Sequence, residues 1–176
     1  MNAIPYCGAG YRVLLLLLLI ICTTLFADEY DDDLPPVNLT EATDLSAEGR
    51  IANNEQRVIL LLVSQEHCPF CVQIKEDILG PMIKGEDHKE QLLIRELFID
   101  MGSQIIDFQG KKRSSSEFAL MEYGVDLTPT MLFLSPEGKE LTKRMIGIYT
   151  PDMFFFYVDE SIRSAIDAMD ESADKL

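Results

Sequence analysis

The chain has 176 residues, 47% hydrophobic and 26% charged, with a formal net charge of −15. That length holds about one domain with a core of its own, and so acidic a surface repels phosphate backbones, which excludes nucleic acid as a partner.

Residues 1–12 carry a single charged group, Arg12; an apolar stretch, 13–26, follows, and Ala27 precedes the acidic run 28–33. This is the pattern of a secretory signal cleaved after Ala27, so residues 1–27 are expected to be removed on export. The stretch is shorter than the roughly 20 apolar residues that span a bilayer, so no stable membrane insertion is expected after cleavage. Leu19-Ile20-Ile21-Cys22 is only superficially a lipoprotein processing site, because Ile21 is bulky where such sites take a small residue. Cleavage removes Cys7 and Cys22 and leaves Cys68 and Cys71 alone. An exported disulfide scaffold spreads more cysteines along its length, and a pair this close together closes no sizeable loop. The pair is therefore expected to do chemistry.

Residues 28–40 are acidic, contain Pro35-Pro36 and show no apolar period, so they are expected to form a disordered tether. A domain at 41–170 and a tail at 171–176 complete the division. A short amphipathic helix is expected at 41–53 with Leu45 and Ile51 inward, weakened by Gly49. The unbroken apolar run 58–63, ending at Ser64, predicts a strand buried on both faces, at the centre of a sheet with parallel strands.

Cys68-Pro69-Phe70-Cys71 follows directly. Pro69 suits a first helical position, where a missing N–H costs little, and Cys71, Ile74 and Ile78 share the inward face of the helix it opens. Cys68 is left at the helix N-terminus, whose unpaired N–H groups and dipole favour a thiolate. Only the thiolate attacks a disulfide at a useful rate. Gly80-Pro81 is expected to end or kink the helix.

A polar loop, 85–90, leads to a second strand at 92–99. Residues 105–108 suit a short strand, and 110–113 its turn. Ser114 to Ser116 offer N-caps for a helix through Tyr123, closed by Gly124. A third strand is expected at 130–134, a turn at 136–139 and a fourth strand at 141–147. Thr150 and Pro151 open a long last helix with Phe154, Phe155, Val158, Ile162, Ile166 and Met169 as its apolar stripe. This order describes an α/β protein with a central mixed sheet and helices on both faces.

These residues resemble the thioredoxin superfamily. Cys68-Pro69-Phe70-Cys71 opens a helix after a central strand, residues 123–130 are similar to that family's cis-proline segment, and residues 137–140 and Gly147 match its hairpin and late glycine. Within the superfamily, residues 64–71 and 127–133 look most like exported thioredoxin-like proteins of the SoxW type. The resemblance implies thiol-disulfide exchange in the bacterial periplasm and a substrate groove formed by Cys68, Thr128 and Pro129, bordered by Pro69 and Phe70. It also implies a cis Thr128-Pro129 bond that turns the Thr128 backbone toward an extended client segment. Two departures stand out. His67 replaces the tryptophan common before the first cysteine, and Leu62 stands where many members bury a carboxylate. Glu66 and Glu96 are the candidates to move protons at Cys71 in its place. The paired glycines with which glutaredoxins hold glutathione are absent from 130–141.

The competing reading of Cys68 and Cys71 is a structural zinc half-site, but zinc usually takes four nitrogen or sulfur ligands and only His67 and His88 are available. No metal or organic cofactor is expected. His67 and Glu66 are candidate modulators of the Cys68 thiolate, although an exposed ring at the rim describes His67 equally well. His88 and Lys111-Lys112-Arg113 are expected to be solvated surface groups. The expected function is that of a monomeric periplasmic oxidoreductase. It would reduce disulfides of client proteins through Cys68 and Cys71, cycle through a disulfide between them, and draw electrons from a membrane-linked disulfide reductase. The alternatives are the reverse reaction, as an oxidant or isomerase, and a non-catalytic metal- or partner-binding module.

Overall fold

The computed structural model describes residues 37–173; the expected signal, most of the expected tether and residues 174–176 lie outside them. At its centre is the apolar run, strand β1 (Val58–Ser64), buried along its whole length. It pairs in parallel with β2 (Leu92–Phe98) and antiparallel with β5 (Thr130–Leu134), which in turn pairs with the short β6 (Met145–Ile146). The mixed sheet has the order β2-β1-β5-β6. A separate hairpin joins β3 (Gln104–Ile106) to β4 (Lys112–Ser114).

Because β1 side chains alternate across the sheet, they divide the core in two. Val58, Leu60 and Leu62 pack with Ile74, Ile78 and Met82, and with Phe154, Val158, Ile162 and Ile166 of the last helix. Ile59, Leu61 and Val63 pack with Leu45, Ala52, Phe118 and Tyr123 on the opposite face. Helices α2 (Pro69–Ile74), α3 (Gly80–Lys84) and α5 (Phe154–Ala173) thus cover one side, and α1 (Leu45–Glu55) and α4 (Ser115–Tyr123) the other. No described helix is long and apolar enough to cross a membrane.

Several expectations need correction. Residues 37–40, assigned above to a disordered tether, are attached to the domain. Glu96 donates its N–H to the Thr40 carbonyl and accepts from Ala42 N–H, while Leu39 packs on the core. This segment covers the outer edge of β2, which would otherwise present unpaired backbone. Helix α1 begins later than expected because the Asp44 carboxylate caps it, accepting from Ala47 N–H at 2.9 Å. Its inward face is Leu45, Gly49 and Ala52, the helical spacing i, i+4, i+7, and Ile51 falls off that face into solvent. Gly80-Pro81 does not end the second helical stretch. A π-helical turn (Lys75–Leu79) joins α2 to α3, and the Gly80 N–H bonds five residues back to Lys75, so the chain continues past the proline.

Lys112 and Arg113 form a strand, with the turn before them held by the buried Asp107 carboxylate, which accepts from Gln109 and Lys111 N–H. The expected fourth strand is interrupted. Glu140 makes one bridge to Leu134, and only Met145 and Ile146 pair again. Between them Arg144 turns to the Glu140 carboxylate and the Tyr123 carbonyl. Phe155 is exposed on α5, while Ala165 joins the buried stripe. Helix α5 also takes in residues 171–173 of the expected tail. His88 is tied down, its Nε2 lying 2.7 Å from Asp159 Oδ1. The helices otherwise start and stop as local chemistry dictates: Ser114 caps α4 through Glu117 N–H, and Gly124 closes it at φ 63°, a left-handed conformation that glycine adopts without penalty.

Candidate active site

Strand β1 runs out at the buried Ser64, whose carbonyl accepts from Ile99 N–H at 3.0 Å. The link Gln65–Glu66–His67 then carries the chain to Cys68, the N-cap of α2. Its Sγ accepts from the Cys71 N–H at 3.2 Å, and its carbonyl accepts from Cys71 and Val72 N–H. The sulfur therefore occupies the position of a capping oxygen, against the donor end of the helix. Pro69 stands at the first turn.

Cys68 and Cys71 are joined as a disulfide. Cys68 is 8% exposed and Cys71 1%, so the first cysteine is the more accessible residue. The inward face expected for Cys71, Ile74 and Ile78 is present.

Thr130 pairs with Val63 and Met131 with Leu62, which sets the preceding loop beside the end of β1. Thr128-Pro129 is cis. The Pro129 carbonyl accepts from Gly147 N–H at 2.8 Å, and Leu127 accepts from the Thr130 hydroxyl. The cis-proline loop is thus fastened to the Gly147 turn and, through Thr128 and Gln65, to the link ahead of Cys68, and Phe70 (60%), Val72, Leu127 and Ile146 are exposed apolar side chains on these segments. Glu66 and His67 are exposed beside Cys68.

The structure separates the two candidates for proton transfer. Glu66 is a surface side chain, whereas Glu96 is buried on β2 directly beside Leu62. The Lys75 ammonium reaches Glu96 at 3.1 Å from one helical turn beyond Cys71. The motif lacks a carboxylate in its central strand, and the neighbouring strand supplies one on the same side of the sheet. Lys75 escaped the sequence reading although it left a signal: a lysine four residues from an inward cysteine lies near a buried face and needs a counter-charge there. Gln65 and Asp100 left none. Glu66 N–H donates to both Asp100 carboxylate oxygens at 3.2 and 3.1 Å, and the Thr128 hydroxyl donates to Gln65 Oε1 at 2.9 Å. Among the described residues, no group of three or more His, Cys, Asp or Glu is arranged to hold a metal ion.

A family profile described as a thioredoxin-like domain matches residues 46–161. No curated protein matches the chain significantly. Among solved structures, the chain is similar to DsbH oxidoreductase at 16% identity and a TM-score of 0.51, over 81% of this chain and 98% of that one. It is also similar to a poplar thioredoxin h mutant at 15% identity and a TM-score of 0.47, over 77% and 92%. The oxidised mitochondrial thioredoxin 3 of Saccharomyces cerevisiae gives 15% and 0.46, over 71% and 93%. Likeness at such identities speaks to the fold alone.

Proposed function

This chain belongs to the thioredoxin-like domain family, and we propose that it is an exported thiol-disulfide oxidoreductase of the SoxW type that reduces client disulfides in the periplasm. The observation that carries the reading is the position of Cys68: its sulfur caps the helix N-terminus, next to a buried partner thiol three residues on. The Cys71 N–H aimed at that sulfur, at the positive end of the helix, stabilises a thiolate.

In the reduced enzyme, the Cys68 thiolate attacks one sulfur of a client disulfide. A mixed disulfide forms, and the other client sulfur leaves as a thiolate and takes a proton. Cys71 then loses its proton and attacks Cys68 Sγ, which breaks the mixed disulfide and releases the second client thiol. The client gains two electrons, and Cys68 and Cys71 are left as the disulfide seen here. Glu96, paired with Lys75 under the helix, is the proposed acceptor for the Cys71 proton. Thr128 and Pro129 form the client platform, with Pro69, Phe70 and Leu127 as its rim. A dithiol donor, in this reading a membrane-linked disulfide reductase, restores the reduced pair.

Two features support the reducing direction and the compartment. Glu66 and Asp100 place acidic groups around the link to Cys68, and negative charge nearby opposes a strongly stabilised thiolate. The apolar stretch ahead of Ala27 supports export. Equilibration of the dithiol against glutathione tests the direction. A potential near thioredoxin's roughly −270 mV is expected, and one near about −120 mV would make the protein an oxidant instead. A pair that never exchanges with glutathione would leave only the non-catalytic module.

A further inference from the structure

Thr128 stands immediately before Pro129, and its hydroxyl donates to Gln65 Oε1 at 2.9 Å. Gln65 is the first residue beyond β1 and lies three positions ahead of Cys68. This bond ties the link that carries the attacking sulfur to the loop proposed to receive the client, across 63 positions of sequence. The same link is anchored on its other flank, where the next residue's N–H is held by both oxygens of Asp100. Gln65 therefore has a fixed base from which to hold Thr128.

A threonine hydroxyl has one proton to donate and two sites that accept. With that proton committed to Gln65, the Thr128 oxygen meets a client only as an acceptor. We infer that Gln65 is a positioning residue that presents Thr128 to disulfides lying within extended polypeptide, whose backbone offers an N–H, in preference to small disulfides that have none. The inference deepens the exchange reading above and rests on it.

The test uses the full-length chain, reduced with dithiothreitol and then freed of it, so that the donor cannot reduce either disulfide directly. Second-order rate constants for oxidation of the reduced protein are measured with a synthetic peptide holding one intramolecular disulfide and with an aromatic bis(nitrobenzoate) disulfide, which has no amide. Gln65→Ala should lower the ratio of the rate constant for the peptide to that for the aromatic disulfide about fivefold, which is the scale of one hydrogen bond. Gln65→Glu, whose carboxylate still accepts from Thr128, should restore most of the ratio. Thr128→Val should lower it similarly, and Gln65→Ala added to that variant should change little more, because both remove one shared bond. A Gln65→Ala ratio within about twofold of the unsubstituted protein, or losses that multiply in the double variant, would overturn the inference. If the unsubstituted protein reduced neither disulfide, the exchange reading would fall and this inference with it.

Discussion

Lys75 Nζ lies 3.1 Å from Glu96 Oε1, and the two side chains are 15% and 3% exposed. The lysine descends from the helix that carries Cys71, and the carboxylate sits beside Leu62 in the register of β1 and β2. A buried ion pair contributes little net stability when intact, but removing one member leaves the other charge without a partner.

Glu96→Gln should therefore lower the stability of the fold by roughly 3 kcal/mol, read from chemical denaturation. A double variant, Lys75→Met with Glu96→Leu, should regain most of that loss. If Glu96 takes the Cys71 proton, both variants should still accumulate the mixed disulfide with a client, measured by intact mass after acid quench. Wild-type resolution rates in the double variant would remove Glu96 from the chemistry and leave it a structural role.

The two cysteines should differ in reactivity. In the reduced protein, Cys68 should be alkylated before Cys71 as pH is raised, because it is the more exposed and its sulfur meets the helix donors. Peptide mapping after brief labelling gives the order. Cys71→Ser should trap clients as stable mixed disulfides, and Cys68→Ser should not. Faster labelling of Cys71 would exchange the two roles.

Acid should weaken the hold between the loop before β2 and helix α5. Burial alone would push the Asp159 carboxyl up, but hydrogen bonds from His88 and Arg163, together with the Arg163 charge, outweigh it and hold the group below its ordinary 3.8. A carboxyl lowered on folding adds stability that is complete above the ordinary carboxylate range. That stability is lost as pH falls through the lowered value. Denaturation midpoints measured downward from neutral pH should fall less steeply for Asp159→Asn than for the unsubstituted protein. Parallel acid limbs would show that the pair adds nothing.

Gly49 should resist replacement although it lies within a helix. Alanine there would gain about 1 kcal/mol of helix propensity. Its Cβ, however, would lie 2.3 Å from the Pro136 carbonyl oxygen, a backbone atom with little room to give. A net loss of about 1–2 kcal/mol is expected from the forced shift, whereas Asn53→Ala on the exposed face of α1 should be neutral or stabilising. A more stable Gly49→Ala variant would show that the turn at Pro136 yields easily.

The exported form should begin at Asp28. N-terminal sequencing of protein recovered from a secreting host checks this, and a chain retaining residues 13–26 would mean an anchor in place of a cleaved signal.

Much of the fold was written in short stretches of sequence. The run 58–63 makes a central strand because every side chain in it is apolar and none needs water. Cys68, Pro69 and Cys71 open a helix because a capping group and a proline suit its first turn. Ser114 and Gly124 begin and end α4 by chemistry contained within a few residues. The central strand and the dithiol beyond its C-terminal end follow from such local choices.

What local chemistry could not specify were the partners. The expected strand at 141–147 had the right residues, but Arg144 turned to Glu140 and to a carbonyl 21 positions away, and residues 142–144 lie outside the ladder. His88 looked like a surface group until α5 brought Asp159 against it from 71 positions on. Glu96 and Lys75 meet across 21 positions, Glu66 and Asp100 across 34, and Gln65 and Thr128 across 63. Propensity and capping act over a turn or two of chain. A hydrogen bond or ion pair acts over about 3 Å of space, and only the packing of the two core layers against the sheet determines which distant residues come that close.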